Sequence, residues 1–244
     1  MKTSNKLIIS ATLIIIGYLV AYDFALKAEY VKGTYKSRFY QMKQLSFKNF
    51  NAIEHNAANN INLRVEQGPG FGVWVDERLK DKIIIRQHKQ TLSIYYNSKD
   101  NYRRYAIDHD IIIICPYINS IITNAHFYAD TVKTATGIQT TMSHPDFGTP
   151  TTITGFKSTM SIQANTFTKI EMYNNNLPAL NALVNGNNAV LKIDTTNIIK
   201  VATIQTSGES VLSLLNPAIE TLHYNIADST ELTLSGKSFR QIRH

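Results

Sequence analysis

Three apolar–polar–apolar triplets, Leu191-Lys192-Ile193, Leu212-Ser213-Leu214 and Leu232-Thr233-Leu234, recur at a nearly constant interval along the chain. Ahead of each stands a turn-forming cluster: Asn185-Gly186-Asn187-Asn188, Ser207-Gly208-Glu209-Ser210 and Ala227-Asp228-Ser229-Thr230. Alternation with a period of two belongs to strands, because successive side chains then point to opposite faces. A unit this short cannot bury its apolar face alone, but stacked copies bury it against one another. A period of about 20 matches one coil of a β-solenoid, so the sequence predicts an all-β, β-solenoid or β-helix-like stack of short strands. A weaker copy ends at Met160-Ser161-Ile162. An antiparallel β-sandwich with evenly spaced hairpins also gives short strands and regular turns, and stands as the alternative.

The earlier part of the chain carries the same alternation without the period. Ile61, Leu63 and Val65 face one way while Asn62, Arg64 and Glu66 face the other, and Gln67-Gly68-Pro69-Gly70 then turns the chain. Phe71–Val75, Ile83–Arg86, Leu92–Tyr96 and Ile111–Cys115 follow as a meander-like series of strands bounded by polar loops. Trp74 alternates to the face opposite Val73 and Val75, where a packing role fits it best.

The N-terminus is of another kind. Lys2 and Lys6 precede an uncharged run, Leu7 to Tyr22. Continued through Asp23 to Leu26 as a helix, the segment rises roughly 30 Å, enough to span a bilayer. Tyr18, Tyr22 and Tyr30 suit the interfaces. A cleavable signal peptide needs a small residue two positions before its small cleavage residue, but Ala21 follows Leu19, Ala25 follows Asp23 and Ala28 follows Leu26. No cysteine follows that could take a lipid. The expected organisation is a tail at 1–6, an uncleaved transmembrane signal anchor at 7–26, a basic juxtamembrane linker at 27–46 and a β domain at 47–244. Lys27, Lys32, Lys36 and Arg38 outnumber the lysines before the span, which favours a cytoplasmic domain; long domains, however, translocate regardless of flanking charge. The expected location is the inner membrane, with the domain in the periplasm or otherwise outside the cytoplasm.

Charge is uneven. Residues 1–104 hold 17 Lys and Arg against 8 Asp and Glu, a net of +9, and residues 105–244 hold 8 against 10, a net of −2. A positive region beside a membrane can attract acidic lipid or polysaccharide, although a solvated face is the commoner use. Nucleic acid is not an expected partner of an exported domain. The single cysteine, Cys115, excludes an intrachain disulfide, and its apolar run Ile111-Ile112-Ile113-Ile114 marks it as a buried small hydrophobe.

No catalytic constellation emerges. The histidines at 55, 88, 109, 126, 144, 223 and 244 show no zinc-site spacing. Asp108-His109-Asp110 sets carboxylates beside an imidazole, but adjacent strand residues point to opposite faces and do not converge. Nucleophile-elbow and nucleotide-binding motifs are missing. A polysaccharide-acting enzyme on a β-helix would need paired carboxylates or an acid with basic residues, whereas Glu171, Asp194, Glu209, Glu220, Asp228 and Glu231 are spread over many repeats. Asn174-Asn175-Asn176 and Asn185–Asn188 could serve sugar hydroxyls, yet asparagine also accepts left-handed backbone, and turn chemistry explains them better. No catalytic residue, metal ligand or cofactor is nominated.

Phe50-Asn51-Ala52-Ile53, Ile61-Asn62-Leu63-Arg64-Val65-Glu66-Gln67-Gly68, Val73-Trp74-Val75-Asp76, Leu92-Ser93-Ile94, Ile111–Pro116 and Ile118 together resemble the opening of the family named "putative auto-transporter adhesin head GIN domain". Ser207-Gly208-Glu209-Ser210 and Leu234-Ser235-Gly236-Lys237-Ser238 resemble its recurring Ser-Gly-x-Ser turns. The resemblance touches most of 47–239 and implies a right-handed β-solenoid in a bacterial envelope protein of Bacteroidetes type. Between Asn124 and Gly155 the pattern breaks, and Ser143–Pro150 reads as an irregular insertion. The function expected is a membrane-anchored, non-catalytic envelope module, adhesin-like or a scaffold, that binds an envelope protein or glycan.

Overall fold

The structure, a computed structural model, describes residues 3–33, 36–97, 110–127, 129–134, 137–142, 149–236 and 238. The chain divides into two compact units, Met1–Met42 and Lys43–His244.

The first unit is dominated by α1 (Thr3–Lys32), a single helix with no buried residue. It is long and apolar enough to cross a membrane by length and composition. The hydroxyls of Ser10 and Thr12 donate to the carbonyls of Lys6 and Ile8, each at 2.9 Å, so these polar groups are satisfied within the helix, as a lipid environment demands. The apolar run stops at Leu26, yet the helix continues through Lys32. Extending an existing helix costs little, and Ala28, Glu29 and Lys32 are good helix formers. Gly33, at φ 64°, then ends it in a left-handed cap.

The second unit is mostly strand. Its strands are β1 (Met42–Leu45), β2 (Ala52–His55), β3 (Leu63–Gln67), β4 (Gly72–Asp76), β5 (Ile83–His88), β6 (Thr91–Tyr96), β7 (Ile111–Cys115), β8 (Ser120–Thr123), β9 (Ala129–Thr134), β10 (Gly137–Met142), β11 (Pro150–Thr154), β12 (Met160–Ala164), β13 (Lys169–Tyr173), β14 (Asn176–Asn185), β15 (Val190–Ile193), β16 (Ile198–Ser207), β17 (Val211–Leu215), β18 (Ala218–Asn225) and β19 (Glu231–Ser235). They form two large mixed sheets. One has the order β1-β4-β7-β3-β11-β13-β15-β17-β19 and the other β18-β16-β14-β12-β8-β2-β6-β5, while among the described residues β9 and β10 pair with each other as a separate two-stranded sheet.

From β11 onward the chain changes sheet at every strand, and from β13 each strand pairs in parallel with the strand two before. In the first sheet Ile170, Leu191, Leu212 and Leu232 stand in register, each one repeat further along the chain. In the second, Ile162, Ala182, Ile204 and Tyr224 do the same. The three triplets of the repeat are therefore direct neighbours. Met160-Ser161-Ile162 is not their fourth copy, because it lies on β12 in the other sheet; Ile170-Glu171-Met172 on β13 precedes them instead. Triplets in the two sheets look alike because both alternate, and sequence spacing alone does not separate them.

Two other expectations are corrected. Parallel ladders join β2, β3 and the strands from β11 onward, which rules out an antiparallel sandwich; β4–β7, β5–β6 and β9–β10 pair antiparallel. The run from Phe71 to Cys115 is no meander, since β4 and β7 pair in the first sheet while β5 and β6 pair in the second. The chain lays β2 and β3 down first, turns out through β4 and β5, and returns on one side as β6 and β7. It then crosses to the other side as β8. Period-two alternation shows which side chains face inward but not which strand lies beside them.

The inward faces of the two sheets meet in one apolar core. Val65, Ile113, Ile153, Met172, Ile193 and Leu214 from one sheet and Ile53, Ile121, Ile162, Ala182 and Ile204 from the other are buried. Lys192 and Ser213, the middle residues of their triplets, are half-exposed outside. At a corner of the stack Gly186 and Gly208 lie one above the other, at φ 95° and 68°. A Cβ on Gly208 would sit 3.1 Å from the Gly186 Cα. Gly208→Ala is expected to lower stability by about 1–2 kcal/mol from the left-handed backbone alone, read as a fall in denaturation midpoint. An unchanged midpoint would contradict this account of the corner.

Candidate functional site

The asparagines noted in the sequence are largely structural. At one corner Asn124 donates to the Asn56 side chain at 2.8 Å and Asn165 to that of Asn124 at 2.7 Å, a ladder running up the stack. At another, Asn175 and Asn197 are completely enclosed, at 1% and 0% exposure. The Asn197 amide donates to the carbonyls of Met172 and Asp194 at 2.7 and 2.9 Å, and its oxygen accepts from the Asn175 amide at 2.9 Å. Asn174 and Asn188 hold left-handed turns at φ 54° and 56°. Turn and ladder chemistry accounts for these clusters.

The titratable candidates separate by burial. Cys115 is buried and free, and burial pushes its thiol up to about 12, so it is unreactive at neutral pH. Asp108 and His109 lie outside the described residues, as do His144 and His244. The Asp110 carboxylate accepts the backbone N–H of Asn62 at 2.8 Å and pins the approach to β3. Burial raises the Asp76 carboxyl, but hydrogen bonds from the Arg78 side chain and backbone, with the Arg78 charge, outweigh it and hold it below its ordinary value. The Arg78 fork reaches both oxygens, at 2.9 and 2.6 Å. Among the described residues no group of three or more His, Cys, Asp or Glu could hold a metal ion.

An acid beside basic residues does occur on the outer face of the first sheet. Glu171 accepts the Tyr173 hydroxyl at 2.7 Å and pairs with Lys169 at 2.7 Å and Lys192 at 3.7 Å. Burial works to raise this carboxyl, but those hydrogen bonds and the two ammonium charges hold it low. Tyr173 is raised by burial, by its bond to Glu171 and by the nearby negative charges. The group thus pairs a fixed carboxylate with a fixed phenol, and neither is poised to exchange a proton near neutral pH.

Sequence reasoning does not single out His55. It occupies the last position of β2, on the same face as Ile53, and is fully buried. Its Nδ1 lies 3.0 Å from the Thr151 hydroxyl, and its Nε2 has no hydrogen-bond partner. Burial lowers its pKa to about 3, so the ring is neutral. Alternation from Ile53 was the available signal.

Two hollows of about 270 Å3 differ in what they offer. One, at Asn59, Phe167, Thr168 and Asn188, has its polar groups engaged: Asn59 exchanges two hydrogen bonds with the His126 backbone and Thr168 donates to the Asn165 carbonyl. The other is a cleft lined by Ile84, Arg86, Tyr95, Tyr96, Asn97 and His126. The β5–β6 hairpin sets Ile84 opposite Tyr95, and the segment after β8 brings in His126. Tyr95 is 39% exposed. Among the described residues, the side chains of Arg86, Tyr95 and Asn97 make no hydrogen bond or ion pair within the protein, leaving donors and an aromatic ring turned toward solvent. Arg86 and His126 are distant in the sequence, with no shared motif to announce the cleft.

No family model and no curated protein matches this chain. Solved structures do. A "putative adhesin" from Parabacteroides distasonis is similar at 13% identity and a TM-score of 0.44, over 79% of this chain and 80% of that one. A "putative lipid binding protein" from the same organism has the same identity and TM-score, over 78% and 80%. A "putative adhesin" from Bacteroides fragilis is similar at 11% identity and a TM-score of 0.37, over 80% and 96%. At these values the likenesses assign no ligand and no activity to the present chain.

Proposed function

We propose that this protein is a membrane-anchored, non-catalytic module of the bacterial envelope that binds a glycan or protein through the outer surface of its β domain. In this reading residues 7–26 span the inner membrane, 27–46 link, and 47–244 form a right-handed β-solenoid outside the cytoplasm. The near-constant interval between paired strands and the change of sheet at every strand from β11 support the solenoid. The apolar, wholly exposed α1 supports the anchor.

The cleft around Tyr95 carries the binding proposal. An exposed aromatic ring beside the uncommitted donors of Arg86 and Asn97 is a surface for a ligand rich in hydroxyl or carbonyl acceptors, such as a glycan. A glycan array and a pull-down from envelope extract, both with the full chain in nanodiscs, test it. Binding to a glycan or an envelope protein is expected, with Tyr95→Ala weakening it at least about tenfold, as removal of an aromatic anchor does. Failure of both assays, or equal binding by the variant, would sink the cleft as the binding site.

A further inference from the structure

We infer that the membrane-proximal end of α1 and the turn after it form a collar that selects anionic phospholipid headgroups. The inference rests on α1 being an uncleaved anchor. The apolar stretch Leu7–Leu26 spans the hydrocarbon, about 30 Å thick. From Leu26 the helix continues unbroken to Lys32, a further rise of about 9 Å, enough to pass through one headgroup layer of about 5–8 Å. Lys27 and Lys32 are therefore carried on a helix at the level of the lipid phosphates, with Tyr30 between them.

The chain then folds back in place of leaving. Gly33 closes the helix, and the Lys36 backbone N–H donates to the Gly33 carbonyl at 2.9 Å. This places the Lys36 ammonium 5.5 Å from the centre of the Tyr30 ring, and Arg38 stands 4.8 Å from that of Phe39. Two of the four cations here, Lys36 and Arg38, thus lie against aromatic rings of the kind that settle at interfaces, and Lys27 and Lys32 precede them on the helix. Glu29, paired with Lys32, is the single acid among residues 24–42. With four cations and one acid the net charge of this segment is +3, and a zwitterionic headgroup does not neutralise it. An anionic one does.

The probe is phosphatidylglycerol against phosphatidylethanolamine, equimolar in nanodiscs holding the full chain, with retained lipid read by native mass spectrometry after release. At on the order of fivefold per basic residue near the surface, about a tenfold or greater preference for phosphatidylglycerol is expected, falling at high salt. Substituting Lys27, Lys32, Lys36 and Arg38 together by Gln should abolish the preference, and Lys27→Arg with Lys36→Arg should preserve it. Equal retention of the two lipids by the wild type, or a preference indifferent to salt and to the Gln substitutions, overturns the collar. If the Gln variant does not insert, the salt dependence of the wild type decides. Alkaline extraction separates the two readings: a chain that washes out overturns anchor and collar together, and one that stays without lipid preference overturns the collar alone.

Discussion

Asn197→Ala should destabilise the β unit by about 3–5 kcal/mol, a large effect for one polar side chain. The side chain is fully buried and serves four bonds: two donated to the carbonyls of Met172 and Asp194, and two accepted from the Asn175 amide and backbone. Alanine removes all four bonds, each worth about 0.5–1.5 kcal/mol net, leaves the buried Asn175 backbone N–H without its acceptor and opens a small void besides, while the Met172 and Asp194 carbonyls keep backbone donors and the Asn175 side-chain amide keeps the Ile153 carbonyl. Asn197→Asp keeps the acceptor but loses both donated bonds and places a charge in the core, so it should cost at least as much. Asn174→Gly is the contrast. That residue lies in a left-handed turn that glycine adopts freely, and the expected change is within a few tenths of a kcal/mol. The measurement is the denaturant midpoint of each variant. Equal, small effects at both positions would show that Asn197 is not part of the scaffold and would reopen the ligand reading of these asparagines.

The contrast also shows what alternation and turn chemistry can reveal. Ile111–Cys115 was readable as a strand and is β7 residue for residue, because an apolar run between polar loops has few other uses. The triplets at 191, 212 and 232 were readable as neighbours because they combine a repeat with a turn cluster. Sheet membership was not readable, as Met160–Ile162 demonstrates, nor was the placing of β2 and β3 between strands that come later in the chain. Pairing depends on the path of the backbone through three dimensions, and parallel strands with two buried neighbours have similar sequences wherever they lie.

The candidate site was less legible than the fold. Arg86 and Tyr95 come from adjacent strands, but His126 arrives only because β8 crosses to the far side of β2. No local pattern encodes that crossing. The proposed collar differs, since its basic residues were visible in the sequence; what the structure adds is the helix to Lys32 and the return of Lys36 onto Tyr30.

His55 links the core to solution conditions. The ring is enclosed, Thr151 is its hydrogen-bonding neighbour, and its partners on the adjacent strands are Ile94 and Thr123, neither of them charged. Nothing there compensates an imidazolium, so burial lowers the folded-state pKa from 6.5 to about 3. Between those values the unfolded chain binds one proton that the folded chain does not. Stability from this residue is therefore complete above about pH 6.5 and is lost progressively as pH falls toward 3. At pH 5 the loss is about 2 kcal/mol, from roughly 1.5 pH units at about 1.36 kcal/mol each. Asp76 and Glu171, whose folded pKa values are lowered, lose their contribution mainly at lower pH, and they are common to wild type and variant. Denaturation of the full chain at pH 7.5 and pH 5.0 should thus show the wild type losing about 2 kcal/mol more than His55→Leu, whose side chain does not titrate. The difference between the two slopes matters, because His55→Leu also removes the bond to Thr151 and shifts stability at every pH. Parallel slopes would mean that the ring is hydrated or protonated inside the fold, and that the interior between β2 and β11 is open to water.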